Sequence, residues 1–400
     1  MSPNDNGPQR NVLLIADNEF IARRLSEILG NEGQLLISEA SALERVLQVV
    51  DSAHILMVVV HVASDTAYQR LTLIEELHEA KPLLPILVFA EDNEPNFLLN
   101  AMRAGANDLV TLDTPKRETL ERLQVLMKKG AQYAPTRDRP NGKLLAVVSA
   151  RPDADSAMLS LHLGLALVKF APQSKVLLLD LGIPEADSLS FLDLQVSYTF
   201  DDAIRSIRRF DETLIETAFA KHPSGLMLLA MAEDSEVGRI LAADIIVLLN
   251  ILCTHFQYVV VNLSGLPKSE FLQLVTSRAD QAFLLCEQTV PSCRSNKKLR
   301  DFLEHYHSAD KLELIVDRYL ASQQPNAEEI AERLHLSLKT TLPPSGMARL
   351  FMKNSGQSLF EFAPNDKYTL SVEQLAKSLL GITAVRSRNT LAKVTRWFRP

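Results

Sequence analysis

Residues 150–167 read ARPDADSAMLSLHLGLAL and join two different patterns. The run KLLAVVS ahead of them is of strand type, and the apolar spacing behind them is helical. A helix fed by a strand through a short loop is a place to hold phosphate, because its unpaired N–H groups and its dipole face an anion. That chemistry calls for glycines, which let the backbone approach the ligand, and for a lysine to balance charge. This loop has neither. Arg151 is its cation, Pro152 removes an N–H, and Asp153 and Asp155 set negative charge where a phosphate would lie. Asp153, Asp155 and Ser156 are good helix-capping residues. The expectation is that they satisfy the free N–H groups themselves, so that the helix end carries its own carboxylate.

His61 lies towards the end of AHILMVVVHV, where a loop residue is expected. His305 and His307 are two apart, the wrong spacing for one helical face, and read as a solvated surface. The cysteines are Cys253, Cys286 and Cys293; their odd number and spacing fit neither a disulfide framework nor a zinc site. Cys286 and Cys293 have no histidine close by in sequence and are expected to be buried, idle thiols. No metal-ligand set is expected.

The elements must supply the positions. A chain of 400 residues with 46% hydrophobic content suits two or three globular domains. A net charge of −7 argues against a nucleic-acid partner. The start MSPNDNGPQRNV is too polar for a signal peptide, and the longest apolar runs are too short to span a bilayer. A reduced, cytoplasmic protein is expected. Residues 11–129 alternate five strand signals with five helix signals, ending with the helix KRETLERLQVLMKK. Residues 130–142, GAQYAPTRDRPNG, read as a linker. Alternation restarts at Lys143, with strands expected at 144–149, 175–181, 225–231, 257–263, 281–286, 312–317 and 337–341, and SVEQLAKSLLG as the closing helix. The organisation is therefore a disordered leader (1–10), one α/β domain (11–129), a linker (130–142), a second α/β domain (143–381) and a tail (382–400). Both domains are expected to be doubly wound parallel sheets.

The first domain resembles the receiver domain of two-component signalling, with flavodoxin-type strand order. AGANDLVTLDTP is similar to the receiver segment that runs from Ala-Gly-Ala through a strand to Lys-Pro. The resemblance implies an acidic pair at Ala16 and Asp17, an acceptor at or near His61, a hydroxyl at Phe89 or Ala90 and a lysine at Leu112. Of these parts Asp17 alone survives, so a receiver-shaped binding module is expected, not a phosphoreceiver.

The second domain resembles the MinD/ParA group of P-loop ATPases, and within it the TadZ/CpaE proteins of Flp (Tad) pilus assembly, in which a receiver-like domain precedes the ATPase domain. The carriers are KLLAVVSARPDADSAMLSLHLGLAL, KVLLLDLGIPEADSLSFLDL, FQYVVVNLSG, LELIVDRY and LPPSGMARLFMKNSGQSLFEFAP, in family order. The resemblance places the family's first lysine on Arg151, its glycines on Pro152, Asp153 and Asp155, its second lysine on Ser156 and its magnesium-binding threonine on Ala157. Asp180 and Asp187 keep two aspartates, while Gly182 replaces a third. Asn262 stands for the Walker B aspartate, and Asp317, before the retained Arg318, stands for an adenine-reading asparagine. Each lost charge-assisted hydrogen bond costs about 1.5–3 kcal/mol, so nucleotide binding is expected at roughly millimolar or weaker. No ATP–Mg²⁺ cofactor is expected.

The tail carries Arg386, Arg388, Lys393, Arg396 and Arg399. In a helix Leu391, Val394 and Phe398 would share a face with Trp397 beside it. An anionic membrane surface, a protein partner and a disordered basic tail all stay open for it. The resemblance implies a non-catalytic, dimeric scaffold or localisation factor for a Flp (Tad) pilus, or related type II/IV-like secretion machinery, peripheral to the inner membrane. Its implied partners are the secretion ATPase and the inner-membrane platform proteins. Two alternatives stay open: an active ATPase with a site rebuilt around Arg151 and Asp180, and a signalling adaptor acting through the receiver-like face.

Overall fold

The computed structural model describes residues 11–382 apart from 31, 39–41, 54, 64, 92–94, 134–141, 153, 185, 196, 208–209, 233–234, 236–239, 306–308 and 310. The tail positions Arg388, Leu391, Lys393, Val394, Arg396, Trp397 and Phe398 lie outside the described residues, as do Asp153 and His307.

The first sheet is built from β1 (Asn11–Ile15), β2 (Gln34–Ser38), β3 (Ile55–Val62), β4 (Ile86–Ala90) and β5 (Asp108–Thr111), all parallel, in the order β2-β1-β3-β4-β5. All eight positions of β3 are buried, as in a strand covered on both faces. The order reverses between β1 and β3, which puts Asp17 and His61 together at the carboxyl edge.

The second sheet contains β6 (Lys143–Val148), β7 (Val176–Asp180), β8 (Ala220–Lys221), β9 (Met227–Ala230), β10 (Tyr258–Asn262), β11 (Gln281–Glu287), β12 (Leu312–Asp317) and β13 (Ser337–Thr341). Their order is β13-β12-β11-β6-β10-β7-β9-β8, parallel except for the antiparallel edge pair β8–β9. The central strand β6 feeds the helix Ala154–Phe170, nearly all of which is buried. That helix packs along the closing helix Lys367–Leu379.

Gly130, expected to open the linker, lies instead inside the helix Lys116–Tyr133. A Cβ there would fall 1.8 Å from the carbonyl oxygen of Leu56, so the bare backbone lets this helix close onto β3. The two sheets are also docked on each other. The helix Leu43–Ser52 packs on the helix Ala242–His255, with Val46, Val49, Ile246 and Leu249 in one apolar cluster. Arg45 pairs with Asp244, and the Asn250 amide donates to the carbonyl of Ser52. Burial raises the Asp244 carboxyl above its ordinary range, against the pull of Arg45. Arg45→Ala is expected to lower unfolding stability by up to about 3 kcal/mol, because it strands a buried carboxylate. Asp244→Asn added to it should recover most of the loss in urea denaturation.

Candidate functional site

In the second sheet the helix after β6 begins at Ala154, and Asp155 is its second residue. Its carboxylate reaches three cations from distant segments: it pairs with Arg318, accepts from Lys353 at 2.9 Å and lies 3.4 Å from Arg349. Burial opposes its ionisation, but the charges of Arg349, Lys353 and Arg318 outweigh burial and hold the carboxyl below its usual range. This revises the purely local capping role expected for Asp155. The three partners that set its charge balance stand from 163 to 198 positions away in sequence, beyond the reach of local reasoning.

Asp317, at the end of β12, is 3% exposed. Arg349 grips it with two parallel hydrogen bonds of 2.8 and 2.9 Å, a geometry that lysine cannot reproduce. The same guanidinium lies 4.7 Å from the ring centre of buried Tyr368. Arg349 and Lys353 were not among the candidate residues. Their one trace in the sequence is the four-residue spacing in MARLFMKN, which sets both on one face of the helix Met347–Ser355. Arg318, Arg349 and Lys353 line a cleft of about 340 Å³ together with Pro344, Ser345 and Gly346.

The loop before Asp155 is closed by contact. Gly265, with φ +72°, lies so near Pro152 that a Cβ would fall 2.7 Å from the Pro152 Cα. The Gly265 N–H donates to the Ser149 carbonyl at 2.9 Å. Arg151 is exposed, whereas Ser156 and Ala157 are buried in the first turn.

Asp180 is 1% exposed. Its carboxylate accepts from the Asn262 amide at 2.7 Å, from the Ser188 N–H at 3.0 Å and from the Gly182 N–H at 3.2 Å. Burial raises this carboxyl, and the hydrogen bonds from Ser188, Asn262 and Gly182 oppose the rise. A Cβ at Gly182 would lie 2.5 Å from the Asn262 amide nitrogen, so the pair leaves no room for a side chain there. Asp187 opens the short helix Asp187–Ser190.

At the first sheet, Ala16 is buried and Asp17 follows β1. The Arg70 guanidinium, 2% exposed, donates to Asp17 at 2.6 Å. Arg70 thus supplies positive charge to the surviving acidic position; sequence reasoning missed it because it lies within a helix, in the first turn of Ala67–Ala80, 53 positions from Asp17. His61, expected in a loop, is inside β3 and 6% exposed, with Nε2 3.6 Å from Glu91. Burial lowers its pKa, although Glu91 pulls the other way. Phe89 and Ala90 are buried in β4, and the Leu112 carbonyl accepts from Arg24 at 2.6 Å. Among the described residues no cluster of three or more histidines, cysteines or acids could hold a metal ion, and no helix is long and apolar enough to cross a membrane.

These sheets and sites define a two-domain α/β protein, a receiver-like domain followed by a domain of the MinD/ParA fold. Residues 11–131 match the family described as pilus assembly protein TadZ N-terminal. The septum site-determining protein MinD of Thermotoga maritima is 20% identical over 246 residues, spanning 60% of this chain and 89% of that protein. A ParA family ATPase from Chlorobium tepidum TLS superposes with a TM-score of 0.54 at 21% identity, over 60% of this chain and 99% of its own. The MinC:MinD cell division complex of Aquifex aeolicus gives 0.50 at 19% identity, over 61% and 98%. The chain is TadZ/CpaE-like, with a MinD/ParA-like second domain.

Proposed function

We propose that this chain is a non-catalytic scaffold that positions Flp (Tad) pilus secretion machinery at the inner membrane. In this reading it acts as a dimer, binds the secretion ATPase and the membrane platform proteins, and uses its basic tail to reach an anionic surface or a partner.

The observation that carries the non-catalytic part is the set of ion pairs on Asp155. A magnesium triphosphate would need the first turn of the helix Ala154–Phe170 as its anion site, and there Asp155 is already neutralised by Arg318, Lys353 and Arg349. The rest of the donor set fits a nucleotide equally poorly. Pro152 packs on Gly265, Ala157 has no hydroxyl to offer a metal, and Asn262 is bound to Asp180. In the receiver-like domain Arg70 takes the place on Asp17 that a divalent cation would need.

Phosphate release from Mg-ATP is expected to match buffer alone, for the native chain and for Arg151→Ala alike. Steady turnover that disappears on Arg151→Ala would contradict the scaffold reading and favour a rebuilt ATPase site.

A further inference from the structure

Cys286 and Cys293 are in contact. Cys286 is the last residue but one of β11, and Cys293 lies in the first turn of the helix Val290–His305. The turn between these elements folds the second thiol back over the first, and the two sulfurs are 3.7 Å apart. Cys286 has no exposed surface, while Cys293 is partly exposed. The Cys286 sulfur lies 3.7 Å from both the Cys293 sulfur and the Ser292 hydroxyl, and 3.4 Å from the Glu287 carbonyl oxygen. This contact corrects the sequence expectation of two idle thiols. Spacing alone did not show it, because the turn Gln288–Thr289 has to reverse the chain before seven positions bring the sulfurs together.

We propose that Cys286 and Cys293 form a dithiol site that a peroxide oxidises to an intrachain disulfide. The exposed sulfur reacts first. The Cys293 thiolate attacks one peroxide oxygen, the O–O bond breaks, and hydroxide leaves and takes up a proton as water, so that Cys293 becomes a sulfenic acid. The Cys286 sulfur, losing its proton, then attacks the Cys293 sulfur. The S–O bond breaks and a second water leaves. Two thiols and one hydrogen peroxide give one disulfide and two waters. The sulfurs have to close from 3.7 Å to a bond of about 2.05 Å.

The environment suits these roles. Cys293 lies in the first turn of its helix, where the positive end of the helix dipole favours the thiolate. The hydrogen bond from Cys286 and the charge of Arg333 hold the Cys293 thiol below its usual range, against burial. The same hydrogen bond and burial push Cys286 upward, as befits a thiol that waits for its partner to be oxidised. Cys253 sits in another helix, and burial pushes its thiol up to about 12.

The bond would close a ring around Glu287 and Gln288. Glu287 lies 3.4 Å from Arg318, and the Gln288 amide donates to the carbonyls of Leu320, Gln323 and Pro325. Oxidation would therefore lock the turn that braces one wall of the Arg318 cleft.

The test uses the full folded chain, hydrogen peroxide and mass spectrometry. The expected product is a peptide joining Cys286 to Cys293, lighter by two hydrogens, with the free-thiol count falling from three to one and recovering under dithiothreitol. Cys253 should stay alkylatable and react at least about tenfold more slowly. In Cys286→Ser, Cys293 should stop at a sulfenic acid that dimedone traps. A native chain in which dimedone labels Cys293 while Cys286 remains a free thiol would overturn the proposal. Cross-linking only between chains, or no loss of thiols, would overturn it as well.

Discussion

Arg349→Met is expected to lower the stability of the second domain by about 3–5 kcal/mol, the cost of leaving a buried carboxylate without its partner. Asp317 would lose both of its short hydrogen bonds, and Asp155 would lose one of three cations. In a domain of this size the shift corresponds to a fall of roughly 10 °C in the melting midpoint. Arg349→Lys should restore only part of it, because an ammonium cannot make the paired hydrogen bonds of a guanidinium. Asp317→Asn combined with Arg349→Met should cost clearly less than the sum of the two single changes. Simple additivity in urea denaturation would mean that this pair is not what joins the late segment to β12.

A second large effect is set by His162, which is fully buried in the helix that follows β6. Its Nδ1–H donates to the Met158 carbonyl at 2.8 Å, and Nε2 accepts the Leu359 N–H at 3.0 Å. The ring must be neutral to accept that bond, and burial lowers its pKa from 6.5 to about 4. The unfolded chain therefore binds a proton at a pH where the folded chain does not. The contribution is complete above about pH 6.5, is lost as the pH falls towards 4, and declines no further below that. Its full size is about 3 kcal/mol. Urea midpoints of the native chain should fall across this window, and the fall should be smaller by this amount in His162→Gln. Parallel pH curves for the two chains would show that His162 carries none of the dependence.

Much of the fold was legible because the strands are covered on both faces and so appear as unbroken apolar runs. β12 and β13 fall at 312–317 and 337–341 as expected, and the others in the second sheet lie within a residue or two of their expected bounds. β8 was not legible, since two residues carry no period. Gly130 looked like a linker residue because glycine in a helix is read as a stop; its actual role is close approach to β3. The acidic positions of both candidate sites were legible, but the cations that neutralise them were not. Arg70, Arg349 and Lys353 lie within helices, and only the folded chain shows which carboxylates they meet.

The two domains follow one physical scheme. At the carboxyl edge of each sheet a buried or half-buried side-chain cation balances an acid: the retained Asp17 in the first domain, and in the second the newly placed Asp155 and Asp317, whereas the retained Asp180 is held by the Asn262 amide and backbone N–H groups. Asp17 is held by Arg70; Asp155 and Asp317 are held by Arg349, with Lys353 and Arg318 at the rim.

Calorimetric titration of the full chain with ATP and Mg²⁺ bears on this most directly. Weak association or none is predicted, with a dissociation constant near 1 mM or above, because in the proposed reading the Asp155 carboxylate, paired with Arg318, Lys353 and Arg349, stays at the start of the helix that follows β6. A constant below about 10 μM that depends on Mg²⁺ would contradict the account, because no triphosphate could bind so tightly without displacing the Asp155 ion pairs.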